Sequence, residues 1–211
     1  MFSFLRGDAP RESSAVPLFP LKTVLFPGGV LPLKVFEQRY IAMTKACLKD
    51  EKPFGVCLLT QGEEVAGASG AGTPTEFAPI GTLARITNWD MPQLGILHLR
   101  TEGGSRFQVQ SHSTAEDGLV IGQITAIAPE PTIALPETYL PLSKLLELLI
   151  SRVGRENFPA DLALDDASWV SYRLAELLPL PLHIKQSMLE INDCAVRLKA
   201  LAQFLHQQGL L

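Results

Sequence analysis

VPLFPLKTVLFPGGVLPLKVFEQRY, residues 16–40, decides how the rest of the chain is read. Two apolar runs, VPLFPL and LPLKVF, flank a turn at Gly28-Gly29, where glycine permits backbone geometry closed to other residues. Pro17 and Pro20 lack an N–H, so the first run is predicted to be an edge strand or an extended entry. At Glu37 the pattern changes period. From Glu37 to Lys49 it reads as a helix, with Tyr40, Ile41, Met43, Thr44, Ala46, Cys47 and Leu48 available for its buried side. Strand, turn, strand and helix in such quick succession predict a mixed α+β fold.

Outward from this stretch, the chain divides by texture. Residues 1–15 are polar and predicted to be a loose tail. Phe54 to Leu59 is almost wholly apolar, as a buried strand would be. Residues 61–76, QGEEVAGASGAGTPTE, are small and Gly-rich and predict a long loop. Strand-like segments follow near 77–90, 93–101, 105–113 and 119–128, with Gly103-Gly104 as a hairpin turn. This strand-rich unit is expected to span 16–131. A helical unit is expected over 132–211. Its first helix runs from Pro136 to Val153, with Leu142, Leu145, Leu146, Leu149 and Ile150 on one side. The next is capped by Asp165 or Asp166 and runs to about Leu178. Pro179 and Pro181 break the chain. A single last helix then runs to about Gln207, with Ile184, Met188, Ile191, Ala195, Leu198, Ala202 and Leu205 on one face and Asp193–Arg197 as an i, i+4 pair.

Composition narrows the class. The chain has 211 residues, long enough to bury a large core without disulfides or metal. Its 18 basic and 22 acidic residues give a net charge of −4. The charge is split evenly between the two textures, so neither half is an electrostatic docking surface for nucleic acid. Three scattered cysteines without a C-x-x-C motif read as reduced thiols. With no signal-peptide core and no membrane-length apolar run, a cytoplasmic location is expected.

A search for chemistry returns little. The segment Gly67-Ala68-Ser69-Gly70-Ala71-Gly72 lacks the Lys-Ser/Thr of a phosphate loop and the order of a dinucleotide fold. It also misses the G-x-S-x-G elbow, because Ala71 stands where glycine belongs. His98, His112, His183 and His206 fall on different predicted elements, without ligand spacing. Ser143 and Lys144 are neighbours on a helix and diverge by about 100°. No catalytic residue, metal site or cofactor is therefore assigned. For partner binding the candidates are Phe77, Arg85, Trp89, Arg100 and Arg106, strand residues that combine arginines with aromatic rings. They lack the Lys/Arg clustering that neutralising several phosphates requires, so protein segments are preferred over RNA.

The opening run resembles the start of the Lon protease N-terminal, substrate-binding domain. The resemblance rests on Pro17-Leu18-Phe19-Pro20-Leu21, Leu25-Phe26-Pro27-Gly28, Leu31-Pro32-Leu33 and Phe36-Glu37-x-Arg39-Tyr40. It continues through Phe54-Gly55-Val56, Gly81-Thr82 and Arg106-Phe107, then Leu178-Pro179-Leu180 and Lys185-Gln186-x-Met188-Leu189-Glu190. It implies a PUA-like β-barrel followed by a C-terminal helical bundle. It also implies a stand-alone member lacking the ATPase and protease domains, with a non-enzymatic role in binding protein or peptide segments or supporting proteolysis and assembly. The groove between barrel and bundle, rimmed by loop 61–76 and with Phe77 and Trp89 as anchors, is the expected site. A small-ligand pocket in the barrel and an RNA-binding PUA-like module are the alternatives.

Overall fold

The computed structural model describes residues 14–64 and 75–210. Most of the expected tail at 1–15 and most of the expected loop at 61–76, including the near-miss elbow, lie outside them; Ser14 and Ala15, expected in the tail, begin the first strand and pair with Ile124 and Gln123. Six strands come first: β1 (Ser14–Leu21), β2 (Val30–Val35), β3 (Phe54–Gln61), β4 (Glu76–Gln93), β5 (Ile96–Thr114) and β6 (Val120–Ala126), with helix α1 (Gln38–Asp50) between β2 and β3. Four helices follow: α2 (Leu140–Val153), α3 (Ala167–Leu177), α4 (Leu182–Glu190) and α5 (Cys194–Gln207). The architecture is α+β, as expected.

The strand order is β2-β5-β4-β3-β1-β6, and β6 also pairs with β5. The sheet therefore curls until its last strand meets the far half of β5. Among the described residues, only β1 and β3 run parallel. Parallel neighbours need a crossover, and α1 lies in it. β1 is interior, not the edge strand its prolines suggested. It pairs with β6 over Ser14–Leu18 and with β3 over Leu18–Leu21. Pro17 and Pro20 thus each stand where one flank of β1 has no strand partner, and no ladder bond is lost there.

The Gly103-Gly104 hairpin is also corrected. β5 runs unbroken through both glycines, and the chain reverses at Leu94-Gly95, where Gly95 has φ +83°. Gly103 serves close approach. Its N–H donates to the Gly29 carbonyl at 2.8 Å, and its carbonyl accepts from the Gly28 N–H at 2.7 Å. A Cβ there would lie 2.2 Å from the Phe26 carbonyl oxygen.

Phe54, Ala84, Leu97 and Leu99 pack with α1 through Tyr40, Ile41, Met43 and Cys47. Ala46, expected on that buried side, is exposed. A larger core joins Phe26 of the β1–β2 loop and the sheet's Leu58 and Ala78 to α2, α3, α4 and α5. Helices α3 and α5 begin at capping carboxylates: Asp166 accepts from the Trp169 N–H at 2.6 Å, and Asp193 accepts from the Ala195 N–H at 2.8 Å. Asp193 is thus a cap and not the partner of Arg197. The single last helix breaks in two at Ile191–Asp193. Arg106 of β5 donates to the Leu189 and Ile191 carbonyls at 2.7 and 3.1 Å, and Arg197 donates to the Ile191 carbonyl at 2.9 Å. Those carbonyls are satisfied by side chains and need no further helical turn.

Candidate functional site

The chain leaves β6 as Ile127-Ala128-Pro129-Glu130-Pro131-Thr132. Each residue before a proline is held extended, so this stretch crosses from sheet to helices without coiling. It forms one wall of a groove of about 510 Å³ at the seam. Pro27, Ile127, Pro129, Pro131, Trp169 and Tyr172 supply its apolar surface, and Gly104 and Ser105 of β5 line it as well. The volume lies within the range of small-molecule and short-peptide pockets.

Glu130, whose side chain is 5% exposed, anchors the floor. Arg197 grips it in a fork, Nη1 on Oε1 and Nη2 on Oε2, both at 2.8 Å. The Tyr172 hydroxyl donates to Oε1 at 2.6 Å, and the Ser168 hydroxyl donates to Oε2 at 2.9 Å. Arg106 Nη2 stands 3.6 Å away. Burial by itself would raise the carboxyl's pKa, but hydrogen bonds from Arg197, Tyr172 and Ser168, with the Arg197 charge, outweigh it and hold it below the ordinary value. The Tyr172 phenol moves up instead, through burial and its bond to Glu130, although the Arg197 charge opposes this. Arg197 is wholly buried, donates through Nε to the Ser171 hydroxyl at 2.9 Å, and lies 3.7 Å from the centre of the Tyr172 ring.

This arrangement limits the chemistry available. Four donors occupy the Glu130 carboxylate, so it has no lone pair left to act as a base. The Ser168 hydroxyl is committed to that carboxylate and has no base to activate it. The rim is held as firmly. Arg173, also wholly buried, donates to the Pro27 carbonyl at 2.8 Å and pairs with Glu176 at 2.8 Å. The Leu25-Phe26-Pro27-Gly28 motif is therefore clamped between α3 and β5.

The structure does not bring the five candidate binding residues together. Arg106 is 4% exposed and belongs to the floor, so it cannot join a surface patch. Phe77 is half-buried, with its ring 5.0 Å from that of His112. Arg85, Trp89 and Arg100 share the arm formed by β4 and β5. Arg85 is 3.2 Å from Glu102, and Arg100 donates to the Glu156 and Phe158 carbonyls at 2.8 and 3.3 Å. Two of the three candidate arginines, Arg100 and Arg106, are thus spent on backbone carbonyls. His98 and His112, expected on different elements, both lie on β5. Glu37 and Arg39 of the opening motif pair with each other at 2.9 Å, and Arg39 donates to the Gly118 carbonyl at 2.8 Å.

Sequence reasoning missed Glu130, Ser168, Trp169, Tyr172 and Arg197. Two signals for them were present. Glu130 is a lone charge between two prolines. Arg197 stands three residues after Cys194 and four before Leu201, which places a charge on the buried stripe of its helix.

Comparison with known proteins identifies the family to which this fold belongs. The family model of the ATP-dependent protease La (LON) substrate-binding domain matches residues 15–207. Lon protease of Anaeromyxobacter dehalogenans is 27% identical over 204 residues, covering 92% of this chain and 23% of that protein. Lon protease 2 of Myxococcus xanthus is 27% identical over 212 residues, covering 96% and 24%. The chain thus spans about a quarter of the length of these curated relatives. The crystal structure of a Lon N-terminal domain protein from Xanthomonas campestris superposes with a TM-score of 0.70 at 34% identity, covering 90% of this chain and 98% of that one. The N-terminal domain of Mycobacterium avium complex Lon protease shares the fold, with a TM-score of 0.59 at 18% identity. The similarity is to the substrate-binding part of these proteases, and the chain belongs to the Lon substrate-binding domain family.

Proposed function

We propose that the chain binds extended, apolar segments of other proteins in the seam groove and performs no chemistry on them. The observation that carries this reading is a groove walled by proline and aromatic side chains over a floor whose Glu130 carboxylate already holds four donors. Such a surface offers shape and apolar contact and asks little of the guest's sequence. Trp169 is the expected anchor, since aromatic side chains dominate the energetics of binding sites. The family's substrate-binding role supports the same reading, as does the absence of a free nucleophile–base pair at the groove. The three cysteines are buried and unpaired, which fits a reducing cytoplasm.

The test is fluorescence anisotropy with labelled peptides cut from an unfolded protein. Apolar peptides are expected to bind saturably, and Trp169→Ala to weaken them about tenfold, equivalent to about 1.4 kcal/mol. Failure of every peptide to bind, or indifference to Trp169→Ala, would count against the groove. A rise in melting temperature with a metabolite, and none with peptides, would favour the small-ligand alternative.

A further inference from the structure

The second half of β4 has a bare edge. β3 stays beside β4 only as far as the pair Phe54↔Ala84, whereas β5 continues to Gln93↔Ile96. Among the described residues, Arg85 to Gln93 therefore have a strand on one flank only. An exposed edge of this kind is a template for another strand. The groups along it are already poised for one. The Trp89 N–H donates to Asn88 Oδ1 at 2.8 Å, and the Met91 N–H donates to Asp90 Oδ1 at 2.7 Å. The two donors are two residues apart, the spacing of outward-facing groups on a single strand. Each donates to the exposed side chain next to it, an oxygen that a partner strand's carbonyl can replace. Beside them Trp89 and Met91 are 52% and 38% exposed, and Leu94 at the tip is 92% exposed. No lysine guards the stretch, and Pro92 interrupts it only beyond Met91.

We propose that the Arg85–Met91 edge is a docking strand for an extended polypeptide, which adds to the sheet beside β4. The occupant follows from the chemistry. Two outward N–H donors with carbonyls between them, at strand spacing, are matched by an extended peptide backbone. Neither a nucleic acid nor a compact metabolite carries that alternation. The guest's carbonyls replace Asn88 Oδ1 and Asp90 Oδ1 one for one, and its side chains cover Trp89 and Met91. This inference rests on the reading that the chain binds protein segments. It adds a second surface, away from the seam groove, and a required conformation.

Amide hydrogen exchange tests it. The probe is a short soluble peptide of alternating valine and threonine, and the control carries proline at alternate positions, which cannot pair. At saturation the Trp89 and Met91 amides are expected to exchange about tenfold more slowly with the probe and unchanged with the control. Trp89→Ala is expected to remove most of that protection while the unliganded melting temperature stays in place. Protection confined to Ile127–Thr132 and α3 would overturn this inference and leave the groove standing. Binding nowhere would overturn both. Protection of the same amides that grows with protein concentration alone would make a second copy the occupant and overturn the proposal.

Discussion

At the scale of single residues, the molecule turns on three buried arginines: Arg106, Arg173 and Arg197. Each carries its charge inside because fixed acceptors surround it, and removing a partner costs more than the pair contributes when complete. Arg197→Ala strands the Glu130 carboxylate and is expected to destabilise the fold by about 3–5 kcal/mol in urea denaturation. The same pair sets an acid sensitivity. The Glu130 pKa is lower in the folded chain than its ordinary 4.5, so the unfolded chain binds the proton more readily. Its contribution is whole above that ordinary value and is lost as pH falls through the lower folded one. Glu130→Gln is therefore expected to flatten the acid side of a plot of melting temperature against pH, relative to the wild type. The burial of Arg197 was half legible. Its place on the apolar stripe marked it as inward-facing, but the i, i+4 spacing to Asp193 offered a nearer and wrong partner. Glu130 lies 67 residues away in sequence.

At the scale of elements, α1, β3 and the cap of α3 were readable because their signals are local: period, composition and a capping carboxylate within one turn. The misreadings share one cause. Gly103-Gly104 looked like a turn, and residues 182–207 looked like one helix, because the deciding groups come from elsewhere in the chain. Gly103 is glycine to admit the Phe26 carbonyl, and α4 stops because arginines from β5 and α5 take its last carbonyls. Paired substitutions separate the two glycine roles. Gly103→Ala forces a Cβ against a backbone oxygen that cannot rotate away and is expected to cost about 3 kcal/mol. Gly104→Ala meets only the Leu83 carbonyl at 3.5 Å, an ordinary contact, and is expected to cost less than about 1 kcal/mol. Chemical denaturation of the two variants side by side checks both.

At the scale of the whole molecule, sheet and helices share one core, because Leu58 of β3 and Ala78 of β4 pack in the same cluster as Leu142, Leu174 and Leu198. Arg106 adds a polar tie from β5 to the end of α4. The two are therefore expected to unfold together, and the two tryptophans report on it. Trp89 sits on the sheet's arm and Trp169 on α3. Single-tryptophan variants, Trp89→Phe and Trp169→Phe, are expected to give coincident denaturation curves, and separated midpoints would show two independent units. No helix among the described residues is long and apolar enough to cross a membrane. By itself, the sequence determined the family, most of the succession of strands and helices, and most of the apolar faces. All of these follow from short-range pattern: period two, period three to four, and motifs in a set order. Only the tertiary structure decided which charges lie inside, where the groove runs and which strand edge is left bare. Each of these depends on which distant segments meet, and burial turns a charge from a solvated surface group into one that must find a partner.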